Sequence, residues 1–356
     1  MPHPPRIDPC RRAPGRVGRS ARVLAVALLC LAAAPAAPAS AQLPELAGTD
    51  VVRTATLSLT DFAITQAGTT YVVPYWSNGG LSRPDSAVRN VVVTVHGDSR
   101  NADDYGRYTA DAATLAGRMS TTVVVAPWFA AAADSPRSNQ LYWSADGWKQ
   151  GDPSVATARA WTISSFAVLD AMAVQAHRSF PNARITVAGH SAGGQFVQRY
   201  VAFAGQDVVT RYLPMNPGTY LYLDTQRWSG TTRRALTPSE QRACPRWNTW
   251  KYGLSRRSGP LSTRTDTQAR AAYAAAPVSY LLGGLDTVVD SSLDTGCSAT
   301  WEGANRLARG RNFFAALPRT LGADAVRSHS LVTVPGVAHS GGSMIRSAEA
   351  RPLLLP

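Results

Sequence analysis

One short run constrains this 356-residue chain more than any other: Gly189-His190-Ser191-Ala192-Gly193-Gly194. Before it lies Ile185-Thr186-Val187-Ala188, a β-branched stretch that reads as a strand. After it, Gln195-Phe196-Val197-Gln198-Arg199-Tyr200 reads as a helix. A chain passing from strand to helix in so few residues must turn sharply. Small residues at Gly189 and Gly193 relieve the clashes, leaving Ser191 strained at the strand's carboxyl end and the helix's positive end.

The rest of the sequence repeats the strand-then-helix rhythm. Strands are expected at Thr54–Leu59, Tyr71–Pro74, Asn90–His96, Thr121–Ala126, Arg184–Ala188, Tyr212–Met215, Val278–Leu282 and Ser330–Val334. Continuous apolar runs such as Val91-Val92-Val93 and Val123-Val124-Val125 are how strands buried on both faces of a parallel sheet read. Helices are expected over Asp103–Arg118, Pro153–Ser179 and Ala192–Ala204. The expected fold class is therefore α/β, a mostly parallel sheet with helices on both faces. Residues 216–276 break the rhythm: they show no convincing sheet strand, carry Trp228, Trp247, Trp250 and Cys244, and read as a cap or lid insertion. No repeat of solenoid period is visible.

A serine hydroxyl becomes a useful nucleophile only beside a base. In a strand-turn-serine architecture the partners are expected in the order Ser, then Asp or Glu, then His. His339 lies just past the last expected strand, whereas His329 precedes that strand and belongs to its opposite end. Asp286 follows Ser279-Tyr280-Leu281-Leu282-Gly283-Gly284 and stands at the matching edge; Asp290 and Asp294 are farther along the same loop. In such a set Asp286 holds the His339 tautomer and Ser191 attacks. Donors for a developing oxyanion are expected from the Ala192 N–H and from the turn after Val91–Val95, where Asp98 N–H is favoured over Ser99. His96 is read as a residue that shapes this turn by hydrogen bonding.

At His96-Gly97, the Gly189–Gly193 turn, Asp286 and His339, the chain resembles the α/β-hydrolase superfamily, over roughly residues 88–344. Phe180-Pro181-Asn182-Ala183 leading into Gly193-Gly194 is similar to secreted esterases and polyester depolymerases. The stretch from Asn216-Pro217 through Trp250-Lys251-Tyr252-Gly253 to Gly303-Ala304-Asn305-Arg306 is similar to a group of secreted bacterial and fungal α/β-hydrolase-like proteins. The resemblance implies hydrolysis of an ester or amide through an acyl-enzyme, with no metal and no organic cofactor. The His96-Gly97 turn lacks the extra glycines of an HGGG-type loop, which in that superfamily speaks against esters of tertiary alcohols.

Residues 1–41 read as a signal peptide: Arg11, Arg12, Arg16, Arg19 and Arg22, an apolar run from Val23 to Ala34, and Ala39-Ser40-Ala41 as the cleavage signal before Gln42. The apolar run is too short for comfortable spanning of a bilayer. A secreted or periplasmic location follows, without a stable membrane anchor after cleavage, and residues 42–356 are expected to form one domain. Cleavage removes six Arg and one Asp, so the formal charge of +13 becomes +8. The remaining Arg residues are dispersed rather than gathered into a stripe, which excludes nucleic acid as the expected partner. Of the four cysteines, Cys10 and Cys30 leave with the peptide; Cys244 and Cys297 are expected to form a disulfide.

The reading that follows is a secreted serine hydrolase acting on a small-molecule or polymeric carboxylic ester. Its competitors are an exported amidase or peptidase, a hydrolase of a polyanionic polymer, and a non-catalytic envelope-binding module on the same scaffold. Oligomeric state is not legible.

Overall fold

Eight strands form one sheet in the order β1-β2-β4-β3-β5-β6-β9-β10. They are β1 (Ser58–Gln66), β2 (Thr69–Ser77), β3 (Asn90–Val95), β4 (Thr122–Pro127), β5 (Arg184–His190), β6 (Arg211–Met215), β9 (Ser279–Gly283) and β10 (Ser330–Val334). The computed structural model describes residues 53–356. The expected signal peptide, its cleavage point after Ala41, and Cys10 and Cys30 lie outside the described residues. Among those described, no helix is long and apolar enough to cross a membrane.

From β4 to β10 neighbouring strands run parallel, while β1 and β2 pair antiparallel with each other and β2 pairs antiparallel with β4. The Val91–Val93 and Val123–Val125 runs are fully buried, as strands covered on both faces require. The chain reverses its direction of sheet growth after β4: β4 lies on one side of β3, and β5 on the other. Crevices outside the carboxyl ends of strands at such a reversal are where open α/β sheets place ligands.

Helices α1 (Ala102–Leu115), α2 (Ser165–Ser179) and α3 (Ala192–Tyr200) follow β3, precede β5 and follow β5 respectively. The expected Pro153–Ser179 helix is shorter than its sequence pattern. Ser164 caps α2 through Phe166 N–H at 3.1 Å, and the preceding segment is an irregular loop with a turn at Ala156–Arg159, Trp161 Nε1 donating to Thr69 O at 3.1 Å. The first strand is also displaced, from the expected Thr54–Leu59 to Ser58–Gln66. Only its inward positions, including Phe62 and Ile64, are half-buried, so it lacks the continuous apolar signature. Its two-residue turn to β2, Ala67-Gly68, has positive φ at both positions (46° and 78°), the primed geometry that suits hairpin twist.

Residues 216–276 add no strand to the main sheet. They carry a separate antiparallel hairpin, β7 (Gln226–Ser229) with β8 (Thr232–Ala235), then α4 (Pro238–Ala243) and α5 (Asp266–Ala275). After β9 come α6 (Cys297–Thr300) and α7 (Arg306–Leu321), and after β10 comes α8 (Gly341–Arg346). Cys244, at the end of α4, is bonded to Cys297 at the start of α6, fastening this insertion to the loop after β9. The hairpin has no strand signature in the sequence because Trp228 is the one large apolar side chain of Gln226–Ser229 and Thr232–Ala235, and the buried Arg227 beside it breaks any apolar alternation.

Candidate active site

The turn between β5 and α3 is as tight as its glycines require. A Cβ on Gly193 would stand 2.2 Å from Val95 O, and one on Gly189 would stand 2.4 Å from Gly193 O. These close approaches hold β3, β5 and α3 together and leave Ser191 at φ 59°, ψ −117°, a conformation costly for a side-chain-bearing residue. Ser191 N–H donates to Met215 O at 2.9 Å, tying the turn to the end of β6.

Three side chains from the carboxyl ends of three strands meet here. Ser191 Oγ lies 2.9 Å from His339 Nε2, and His339 Nδ1 lies 2.7 Å from Asp286 Oδ2. Asp286 is buried, and its other oxygen, Oδ1, has no hydrogen-bond partner; the nearest cation is the buried Arg306 guanidinium at 3.7 Å. The loops carrying Asp286 and His339 are locked together: Leu285 N–H donates to Val337 O at 2.9 Å, and Asn216 Oδ1 accepts from Gly283 N–H at 2.7 Å.

The other acids on the loop are otherwise engaged. Asp290 pairs with Arg306 Nη2 at 3.0 Å and accepts from Ser292, and these contacts hold its carboxyl well below the usual carboxylate range. Asp294 accepts from Tyr252 Oη at 2.5 Å and from Gly296 N–H. His329 sits before β10, with Nε2 against Tyr273 O at 3.0 Å, and does not join Ser191.

The turn after β3 is set by His96. Its ring is fully buried, Nε2 accepts from Phe129 N–H at 3.1 Å, and Nδ1 is 2.9 Å from Gly97 O. These contacts fix one neutral tautomer, with the proton on Nδ1 donated to the carbonyl. Burial pushes its pKa down to about 4. Asp98 and Ala192, the expected oxyanion donors, line the same cleft of about 300 Å³ as Ser191. Lys149 Nζ grips the Asp98 carboxylate at 2.7 Å and Asp146 at 2.8 Å. The backbone beneath Lys149 is held in turn by buried Arg199, which donates to Lys149 O at 3.0 Å. Among the described residues, no group of three or more His, Cys, Asp or Glu side chains is arranged to hold a metal ion.

Several residues that the sequence did not single out support this site. Tyr105 on α1 places its hydroxyl 3.1 Å from His190 Nδ1, and a Cβ on Gly97 or Gly341 would collide with that hydroxyl at 2.7 or 2.8 Å. One phenol thus sits between the turn after β3, the Ser191 turn and the start of α8. His190 is buried, with its ring centroid 4.8 Å from that of His339; burial, and then the His339 charge, push its pKa well below the ordinary value. Lys149 completes the set, and Asn216, Lys251 and Arg306, which the sequence offers only within a resemblance and with no role, join it. No pattern of local spacing marks any of them, because each acts on a group from a distant part of the chain.

A mostly parallel sheet, a glycine-walled turn bearing Ser191, and Asp286 and His339 after its last two parallel strands, β9 and β10, define the α/β-hydrolase fold. Among solved structures, the chain is similar to poly(aspartic acid) hydrolase-1 from Sphingomonas sp. KT-1, with a TM-score of 0.59 and 22% identity over 84% of this chain and 99% of that one. It is also similar to LpqC, a poly(3-hydroxybutyrate) depolymerase from Bordetella parapertussis, with a TM-score of 0.58 and 21% identity over 82% of this chain and 87% of that one. No family model matches the chain, and no curated protein does.

Proposed function

We propose that this protein is an exported serine hydrolase that cleaves a carboxylic ester through an acyl-enzyme. The observation that carries the reading is the continuous hydrogen-bonded line from Ser191 Oγ through the His339 ring to buried Asp286. As a substrate carbonyl settles over Ser191, His339 Nε2 takes the hydroxyl proton while Oγ bonds to the carbonyl carbon. Asp286 keeps the Nδ1 proton in place and stabilises the imidazolium that forms. The oxyanion of the tetrahedral intermediate points toward Ala192 N–H and Asp98 N–H, at the positive end of α3. Collapse expels the alcohol, which receives the proton from His339. Water then repeats the sequence on the acyl-enzyme and releases the acid.

Residues 216–276 would form the substrate-side wall, since Lys251 lines the Ser191 cleft. Export is supported by the signal-peptide features of residues 1–41 and by the Cys244–Cys297 bond. An amide substrate is the second reading. It is favoured by the likeness to a poly(aspartic acid) hydrolase across nearly that protein's whole length, and the same three side chains would cleave an amide.

The test is turnover of short p-nitrophenyl esters and labelling by a fluorophosphonate. Ser191→Ala is expected to abolish labelling and lower turnover by about 10⁴-fold or more. Unchanged labelling would overturn the assignment. Faster cleavage of matched anilides than of esters would favour the amide reading.

A further inference from the structure

The chain contains two lysines against 34 arginines, and both lysines line the cleft that holds Ser191. Their situations differ. Lys149 is saturated by Asp98 and Asp146 at 2.7 and 2.8 Å. Lys251 makes no hydrogen bond among the described residues; its nearest carboxylate is Asp294 at 3.6 Å, already taken by Tyr252 and Gly296. The Lys251 side chain is only 18% exposed, yet it lines two adjoining cavities. One is the Ser191 cleft. The other, of about 400 Å³, is walled by Trp250, Tyr252 and the disulfide residue Cys297, with exposed Arg246 also on its lining. Arg246 makes no ion pair among the described residues. The one carboxylate of that second cavity, Asp146, is bridged to Lys149.

Burial, followed by the nearby Arg199 charge, pushes the Lys251 ammonium below its ordinary pKa. A half-buried cation without a close acceptor is costly unless something anionic arrives. The three carboxylates of the Ser191 cleft do not fill that role, since each has its own partner. A cationic substrate would have to displace Lys149 from Asp98 and Asp146, whereas an anionic one meets Arg246 and Lys251, whose ammonium has only a long 3.6 Å approach to Asp294 and a loose seat 5.3 Å from the Tyr252 ring centroid to give up.

Resting on the serine-hydrolase reading, we propose that the cavity beside the Ser191 cleft is an anion subsite, in which Lys251, backed by Arg246, binds a carboxylate carried by the substrate next to its scissile bond. Trp250 and Tyr252 flank the apolar part of that arm. The protein thereby prefers esters whose acyl chain ends in a carboxylate over neutral esters of the same length.

The test compares p-nitrophenyl hexanoate with the mono-p-nitrophenyl ester of adipic acid, and with the 6-aminohexanoate ester as the cationic control. The readout is the anionic-to-neutral ratio of kcat/KM. That ratio is expected to exceed one, to fall with added salt, and to drop about tenfold in Lys251→Met, as loss of a charge-assisted contact implies. Lys251→Arg should retain the preference and Lys251→Glu should shift it toward the ammonium ester. Circular dichroism and fluorophosphonate labelling confirm that each variant is folded. A wild-type ratio of one or below, or a ratio unchanged in folded Lys251→Met, overturns the subsite while leaving the hydrolase reading intact. No turnover of any ester together with no labelling of Ser191 overturns the hydrolase reading, and the subsite with it.

Discussion

Acid should destabilise this fold through His96, and by an amount that can be worked out. The ring is fully buried, donates from Nδ1 to Gly97 O and accepts at Nε2 from Phe129 N–H. A second proton has to displace the Phe129 N–H and place a charge away from water. Burial accordingly holds the pKa down to about 4, against an ordinary 6.5. A histidine depressed in this way contributes stability that is fully present above pH 6.5 and is lost as pH falls through about 4. At about 1.4 kcal/mol per pH unit of separation, the loss is roughly 3 kcal/mol, a large share of what a domain has. Urea unfolding followed by circular dichroism, from pH 7.5 down to 3.5, measures it. His96→Gln offers an acceptor toward Phe129 but does not titrate. It should be less stable than wild type at pH 7.5, with a shallower fall toward acid, the two curves converging by about 3 kcal/mol. If they stay parallel, the reasoning about His96 is wrong.

Two further perturbations probe the same neighbourhood. Arg306→Met removes the buried guanidinium that stands 3.7 Å from Asp286 and bonds to Asp290 and Ser292, and loss of this network should cost about 3–5 kcal/mol in urea unfolding, with a fall in kcat; a cost below about 1 kcal/mol would show that these contacts contribute little. Replacing Cys244 and Cys297 with serine opens a loop whose ends are 53 residues apart. The chain-entropy estimate is a loss of about 4 kcal/mol, to be checked by thermal and urea melts against the oxidised protein.

The sequence was most informative where structure is local. Valine runs announced β3 and β4, and the glycines around Ser191 announced a turn that nothing bulkier would fit. Asp286 and His339 could be chosen over Asp290 and His329 because each follows a strand directly, and parallel strands bring such positions to one edge. Where the outcome depends on a partner far along the chain, the pattern was silent. Ser164 ended a helix that periodicity alone extended back to Pro153, because the residues before it bond to the β1–β2 side of the molecule. Asn216 reaches 67 residues to Gly283, and Lys149 reaches 51 residues to Asp98. Asparagine and lysine at those positions look like ordinary polar residues until the sheet is assembled. The hairpin of β7 and β8 escaped notice for the opposite reason, since Trp228 is its one large apolar side chain.

Ser191 and His339 are 148 residues apart, and His339 follows β10, the outermost strand of the parallel edge. Every intermediate in which β10 has yet to dock therefore holds a serine with no base beside it. A nascent chain, a proteolytic fragment ending before β10, or a molecule frayed at that edge would be chemically silent toward esters, however native the rest of its sheet. On the proposed mechanism, ester cleavage requires β10 to be docked, and loss of activity ahead of loss of helical signal during denaturation would mark that edge as the first to open.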